Sequence, residues 1–429
     1  MNKKKFSIVT FGCQMNVHDS EKMAGVLQEQ GYSFSCDPKD SDLIIFNTCS
    51  IREKAEQKFF SELGRIKTLK KKRPGLKIAV AGCIAQQGSD EILRRAPYVD
   101  FVFGPQNIAL LGDLVKGSRT IATEDNPEIA EIDLPVRRTG TGRAWVTIMY
   151  GCNNFCSYCI VPYTRGRERS RPSSNILREV RGLAEEGFRE VTLLGQNVNS
   201  YRSDLDFAEL LRAVNLIKGI ERVRFVTSHP RDLSDELIEA IRDSEKVCEQ
   251  IHLPLQSGSD RILGLMNRRY SYDDYRRKID SLRNNIGGIS ITTDIISGFP
   301  GEMSEDHDLT ISALREICFD GIFAFKFSPR RGTRAALMEN GLSDDVGSRR
   351  LSEVLAVQEA ITERINKGLE SSIMEILVEG VSETDREMLS GRTRTNKIVN
   401  FKAEGLSIGD LITVRILKSG KHSLIGEVV

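Results

Sequence analysis

Between residues 144 and 327, six short apolar runs alternate with charged, helical stretches, and this rhythm constrains the fold more than any other property of the chain. The runs are 144–150, 190–194, 222–227, 250–255, 290–296 and 321–327. Helical patterns at 174–186, 206–217, 234–243, 272–284 and 304–317 separate most of them. Strands that alternate with helices of this length build βαβ units, and hence a parallel sheet covered by helices. Six such units predict an α/β fold of the partial (βα)6 barrel kind, with reactive groups on the loops at the C-terminal ends of the strands.

The first of those loops carries Cys152, Cys156 and Cys159 in the spacing C-x3-C-x2-C. Three thiolates so placed can hold three irons of a 4Fe-4S cubane and leave the fourth iron open to a substrate. A closed four-cysteine site instead passes electrons or braces a fold. Structural zinc would want a fourth Cys or His close by, and the next histidine, His229, is far along the chain. An open cluster iron can chelate the amino and carboxylate groups of S-adenosylmethionine (SAM) and supply the electron that breaks its carbon–sulfur bond, giving a 5′-deoxyadenosyl radical. The polar and glycine-bearing loops after the other strands offer Gln196, Asn197, Ser228, Gln256, Ser257 and Asp294 as candidate contacts to that cofactor. His229 is a lesser candidate for ligand or base.

The first 120 residues repeat the alternation as a parallel α/β sheet domain. Residues 6–11, 43–47 and 77–81 read as strands, and 50–70 and 89–96 as helices with Ser50 and Ser89 as N-caps. Each strand runs straight into a cysteine: Cys13, Cys49 and Cys83. The C-terminal ends of parallel strands share one edge, where open α/β sheets bind ligands, so the three are expected to converge on a second cluster site. Residues 121–141 lose periodicity and read as a linker to a core of 142–367. A helical stretch at 343–367 leads into five short runs, 373–379, 387–390, 397–401, 411–417 and 424–429. Residues 368–429 are therefore predicted to form a small antiparallel, OB-like β-barrel of the sort that grips oligonucleotides.

Lys plus Arg (61) nearly cancels Asp plus Glu (60), so any nucleic-acid contact must come from local patches. Two patches stand out: Arg165, Arg167, Arg169 and Arg171 beside the cysteine loop, and Arg392, Arg394 and Lys397 in the terminal barrel. RNA or cofactor contact competes in both with ordinary surface ion pairs. No signal-peptide pattern and no apolar stretch of ~20 residues is present, which points to a soluble, cytoplasmic chain. Nine cysteines in that setting suit metal or redox chemistry better than disulfides. Cys36, Cys248 and Cys318 fit neither triplet and read as incidental thiols.

Several stretches together carry a family resemblance: Gly12-Cys13-Gln-Met-Asn16, Asn47-Thr-Cys49-Ser-Ile-Arg-Glu-Lys-Ala55, Gly82-Cys83, Gly151-Cys152-Asn-Asn-Phe-Cys156-Ser-Tyr-Cys159-Ile-Val-Pro-Tyr-Thr-Arg-Gly166, Leu194-Gly-Gln-Asn-Val-Asn199 and Ser390-Gly-Arg-Thr-Arg-Thr-Asn396. Over essentially its whole length the chain resembles the radical-SAM methylthiotransferases that act on N6-isopentenyladenosine in tRNA. The resemblance implies that Cys13, Cys49 and Cys83 hold an auxiliary 4Fe-4S cluster, that Cys152, Cys156 and Cys159 hold the radical-generating one, and that the terminal barrel is an RNA-binding TRAM domain. It implies that one SAM methylates sulfur at the auxiliary cluster, while a second yields the radical that takes the C2 hydrogen of adenosine 37, beside the anticodon. The expected partners are isopentenylated tRNA, an electron donor such as a flavodoxin or ferredoxin, and an iron–sulfur or sulfur carrier protein. The alternatives are a sister enzyme acting on threonylcarbamoyladenosine or on a ribosomal-protein aspartate, and a non-catalytic iron–sulfur RNA-binding protein.

Overall fold

The computed structural model describes residues 3–50, 53–117, 120–138, 140, 142–339 and 341–429, with only the backbone at 53–55. The N-terminal strands are β1 (Lys5–Thr10), β2 (Ser33–Phe34), β3 (Leu43–Thr48), β4 (Lys77–Gly82), β5 (Phe101–Phe103) and β6 (Ile121–Ala122). Their helices are α1 (Gln14–Glu29), α2 (Glu53–Lys72), α3 (Cys83–Arg95) and α4 (Leu111–Lys116). The strands form one parallel sheet in the order β2-β1-β3-β4-β5-β6. Every residue of β3 is buried, because its two faces meet different cores. Leu43 and Ile45 pack with Met23 and Leu27 of α1, and Ile44 and Phe46 with Phe59 and Leu63 of α2. A strand covered on both faces reads as an unbroken apolar run.

Three details differ from the sequence reading. Ile121 and Ala122, expected to open the linker, pair with β5 as a sixth strand. Helix α3 starts at Cys83 and bends at Gly88, so Ser89 lies inside it and does not cap it. Ile51 and Arg52, between Ser50 and α2, lie outside the described residues, and the expected cap there falls with them. Among the described residues the rest of the linker carries no regular structure, yet it is tied down: Arg137 N–H donates to Glu21 O, and Arg138 pairs with Glu21 and Glu179.

The core begins with β7 (Arg143–Thr147). A short antiparallel pair, β8 (Met149–Tyr150) and β9 (Arg169–Ser170), closes the base of the cysteine loop, which contains α5 (Val161–Thr164). Then follow α6 (Ser173–Glu185), β10 (Glu190–Leu194), α7 (Phe207–Asn215), β11 (Arg222–Val226), α8 (Asp235–Asp243), β12 (Gln250–His252), α9 (Asp260–Leu265), α10 (Tyr272–Asn285), β13 (Ser290–Ser297), α11 (Ser304–Ile317), β14 (Gly321–Lys326) and α12 (Asp344–Lys367). The six parallel strands form two three-stranded sheets, β11-β10-β7 and β12-β13-β14. The seam is bridged where Val223 N–H donates to Lys246 O (2.7 Å) and Cys248 N–H to Val223 O (2.9 Å). The result is the partial barrel that six βα units predict.

Strands β15 (Ile373–Val381), β16 (Leu389–Thr393), β17 (Ile398–Lys402), β18 (Leu411–Ser419) and β19 (Leu424–Val428) close a barrel in the order β15-β16-β17-β19-β18. It is antiparallel except for the parallel pair β17–β19. Five strands cannot alternate direction around a closed ring, so one parallel neighbour is unavoidable. Among the described residues no helix is long and apolar enough to cross a membrane.

The terminal barrel sits at the N-terminal ends of the core strands, opposite the reactive rim. The fully buried Arg222 donates to Arg392 O (2.7 Å) and Glu375 O (3.1 Å), and Arg224 donates to Thr393 O and Arg394 O.

Candidate metal centres and cofactor rim

Cys13, Cys49 and Cys83 follow β1, β3 and β4, which are neighbours in the sheet, and the parallel register brings all three to one edge. Cys13 is the N-cap of α1 and Cys83 the first residue of α3. Helix N-termini present free N–H groups and a positive dipole end, which favour thiolate. Gly12 and Gly82, at φ +118 and +92, make the approach possible. A Cβ at Gly12 would lie 2.3 Å from Cys49 Cβ, and one at Gly82 2.3 Å from Thr48 O. The Cys13 thiol is lowered to about 6, chiefly by its hydrogen bond with Cys49 and, against burial, by the Arg165 guanidinium; burial pushes Cys83 up.

In the second triplet Cys152 and Cys156 are buried and Cys159 partly so. Cys159 N–H donates to Cys156 O at 2.9 Å. Arg268 Nη1 donates to Cys156 Sγ at 3.3 Å, while its other nitrogens hold Pro254 O and Tyr270 Oη, each at 2.8 Å. Burial pushes the Cys152 thiol up to about 11 and Cys159 to about 12, so metal binding there has to displace protons. Among the described residues no three Cys, His, Asp or Glu side chains gather tightly enough to share one ion. A cubane takes each thiolate on a different iron and needs no such gathering.

The two triplets face a common junction. Helix α5, which follows Cys159, packs on α3, which begins at Cys83. Arg165, next after α5, reaches across to α1: its Nη2 lies 2.7 Å from Asp19 Oδ2 and 3.2 Å from Asn16 Oδ1. Burial works against the charge on Arg165, but Asp19, Cys83 and Cys13 outweigh it, so its pKa sits well above the ordinary value. Lys22 of α1 adds a second link, to Tyr150 Oη at 3.0 Å.

The loops after the core strands hold a group of buried polar atoms with no protein partner: both amide atoms of Gln196, Asn197 Oδ1, Ser228 Oγ, His229 Nε2, Gln256 Oε1 and Ser297 Oγ. Leaving such an atom unpaired costs about 1–3 kcal/mol, so their concentration at one rim suits a polar ligand carrying both donors and acceptors. This is the fit an amino-acid-plus-nucleoside cofactor requires. His229 Nδ1 accepts from Arg231 N–H, which puts the proton on the unpartnered Nε2. Burial, then nearby arginines, lowers its pKa to about 2, so the imidazole stands neutral with its Nε2 proton aimed at the rim.

Several expected contacts are engaged elsewhere. Ser257 is fully buried against Thr310 and accepts from Ser259 N–H. Asp294 faces His252 at 3.4 Å, while its carbonyl accepts from Gln256 N–H at the rim at 2.8 Å. Arg165 is buried on Asp19 and is no surface contact for RNA. Arg392 pairs with Glu379, Arg394 with Glu249 and Lys397 with Asp320, so the basic strip stitches the terminal barrel together and to the core. Opposite charges nearby make all of these better structural pairs than open RNA sites. Arg268, Asp19, Asn16 and Ser297 stand at the site although the sequence did not single out their roles, and no local pattern marks those roles.

A partial barrel of six parallel strands, with a C-x3-C-x2-C triplet on its first loop and an orphaned polar rim beside it, defines a radical-SAM enzyme. Residues 5–104 match the family described as uncharacterized protein family UPF0004, 146–314 the radical SAM superfamily and 369–429 the TRAM domain. Similar relatives include the tRNA-2-methylthio-N(6)-dimethylallyladenosine synthases of Thermodesulfovibrio yellowstonii (53% identical, covering 100% of both chains) and Syntrophus aciditrophicus (51%, covering 100% of this chain and 95% of that one). A radical S-adenosylmethionine methyltransferase, TsrM, from Kitasatospora setae, solved with cobalamin and a [4Fe-4S] cluster, shares the fold. Its TM-score is 0.59 at 13% identity, covering 78% of this chain and 74% of that one. The chain belongs to the tRNA-2-methylthio-N(6)-dimethylallyladenosine synthase family.

Proposed function

We infer that the chain replaces the C2 hydrogen of N6-(dimethylallyl)adenosine at position 37 of tRNA with a methylthio group, using two SAM and two 4Fe-4S clusters. The observation that carries this reading is the shared junction: α5 against α3, and Arg165 on Asp19 and Asn16, join a triplet suited to radical formation to one suited to sulfur donation. When bound, the clusters and SAM supply the electron, the 5′-deoxyadenosyl radical and the sulfur.

The protein's own part is to hold, orient and exclude water. Cys152, Cys156 and Cys159 would ligate the radical cluster, and Arg268 offsets negative charge at Cys156. Gln196, Asn197, Ser228, His229, Gln256 and Ser297 offer the unpaired donors and acceptors for SAM. Ile262, Met266 and Phe299, with Tyr158 of the cysteine loop, form an apolar cluster that keeps water from this side. Cys13, Cys49 and Cys83 would ligate the auxiliary cluster, with Arg165 as the nearby cation. A flavodoxin- or ferredoxin-type reductant, a sulfur carrier and a cytoplasmic setting complete the proposal.

Mass analysis of nucleosides made by the reconstituted enzyme on isopentenylated tRNA tests it. The expected product is 2-methylthio-N6-(dimethylallyl)adenosine; unchanged nucleoside, or normal levels of the modification in cells lacking this gene, would overturn the reading. Cys152→Ala is expected to abolish 5′-deoxyadenosine formation, whereas Cys49→Ala retains part of it and makes no product.

A further inference from the structure

Within the cysteine loop one residue is held against its conformational preference. Phe155 sits at φ +48, in the left-handed region that side chains with a Cβ avoid, and Asn267 Nδ2 fixes its carbonyl at 2.9 Å. The conformation leaves the Phe155 ring half-buried and in contact with two neighbours. The Arg167 guanidinium lies over it, 4.3 Å from the centroid, and the Tyr163 ring meets it edge-on at 6.1 Å and 88°. Tyr163 is 52% exposed.

Arg167 differs from the other arginines of its run. Arg165 pairs with Asp19, Arg169 with Asp125, and Arg171 with Glu179 and Asp133. Arg167 is exposed and, among the described residues, pairs with no carboxylate. Tyr163 lies on α5, between Cys159 and Arg165, where α5 meets α3 of the other triplet's domain. The cluster therefore stands at the edge of the junction into which the reacting base must be delivered.

We propose that Phe155, Tyr163 and Arg167 form a stacking platform for unpaired bases of the RNA loop next to the reacting adenosine. Single-stranded loops are recognised by stacking on aromatic rings and arginine planes, which hold the strand while one base is splayed out. Arg392, Arg394 and Lys397 are engaged in the fold at the far end of the core, so grip near the chemistry falls to groups of this kind. The proposal rests on the tRNA reading above.

The test is fluorescence anisotropy of an isopentenylated anticodon stem-loop on the full-length, cluster-reconstituted protein at several salt concentrations. Iron and sulfide content would report an intact cysteine loop. Tyr163→Ala is expected to weaken binding roughly 5- to 150-fold, the range of one lost base stack, and Tyr163→Phe to restore it. Arg167→Lys is expected to weaken binding while the slope of log affinity against log salt stays as before, since the charge is kept and the plane is lost. Unaltered affinity in Tyr163→Ala, or full affinity in Arg167→Lys with a shallower salt slope only in Arg167→Ala, overturns the platform; the latter marks a plain phosphate contact. If the unaltered protein binds no stem-loop, the tRNA reading itself fails, and the platform with it.

Discussion

Replacing Asp19 by Asn strands the guanidinium of Arg165 inside the junction between the two cysteine triplets. The pair is 2.7 Å apart, and its side chains are only 6% and 3% exposed, so solvent screens it little. Exposed pairs contribute about 0–1 kcal/mol, but a buried charge that loses its partner costs about 3–5 kcal/mol. Asn16 Oδ1, still 3.2 Å away, argues for the lower end, about 3 kcal/mol. For cooperative units of about 150–250 residues each kcal/mol moves Tm by about 2–4 °C, so the transition that includes the junction should fall by roughly 6–12 °C. Differential scanning calorimetry at fixed scan rate resolves it, since a chain of three parts need not unfold in one step. Adding Arg165→Met removes the stranded charge, and most of the lost Tm should return. Product formation should be lost in the double variant although its stability returns, because Cys13 and Cys83 have lost their cation. A shift below about 2 °C for Asp19→Asn, or a double variant no more stable than the single one, would refute the reasoning.

Arg268→Gln removes a charged donor from Cys156 Sγ. A hydrogen bond of that kind is worth about 1.5–3 kcal/mol, or roughly 65–130 mV for one electron, and because it strengthens as the cluster gains an electron the midpoint should fall by up to that amount in an EPR-monitored titration. An unchanged potential would mean that Arg268 only braces Pro254 and Tyr270. His18 is wholly buried, and burial, then Lys22, Arg138 and Arg171, hold its pKa well below 6.5. The unfolded chain takes up this proton below pH 6.5 and the folded chain does not. Stability from this group is thus complete above pH 6.5 and lost at up to about 1.4 kcal/mol per pH unit as pH falls. Tm measured from pH 7 to 5 should decline less steeply in His18→Gln than in the unaltered protein, and parallel curves would rule the effect out. Arg222→Ala should loosen the terminal barrel, seen as faster tryptic cleavage between α12 and β15; an unaltered rate would mean that Arg224, Arg394 and Lys397 hold it alone.

Four of the six cysteines, Cys13, Cys49, Cys83 and Cys152, could be placed from the sequence because each lies two residues beyond an apolar run and a parallel sheet forces the ends of such runs onto one edge; Cys156 and Cys159 followed from their C-x3-C-x2-C spacing with Cys152. Helix α1 could not be read in the same way. Its buried residues include Asn16, His18, Asp19, Glu21 and Lys22, so the usual equation of buried with apolar fails along the side that meets the core. The same failure misled the reading of the basic patches. Whether an arginine faces RNA or a carboxylate depends on partners distant in sequence, as Arg394 finds in Glu249 and Arg165 in Asp19, and local pattern holds no record of them. The near-balance of 61 basic and 60 acidic residues is the one global hint. In a chain so balanced most cations can find an internal partner, so a basic run is weak evidence of a nucleic-acid surface. An exposed arginine left without a carboxylate beside paired neighbours, as Arg167 is among the described residues, is stronger evidence than the whole run. That argument needs the structure, because pairing is what distinguishes Arg167 from Arg165, Arg169 and Arg171.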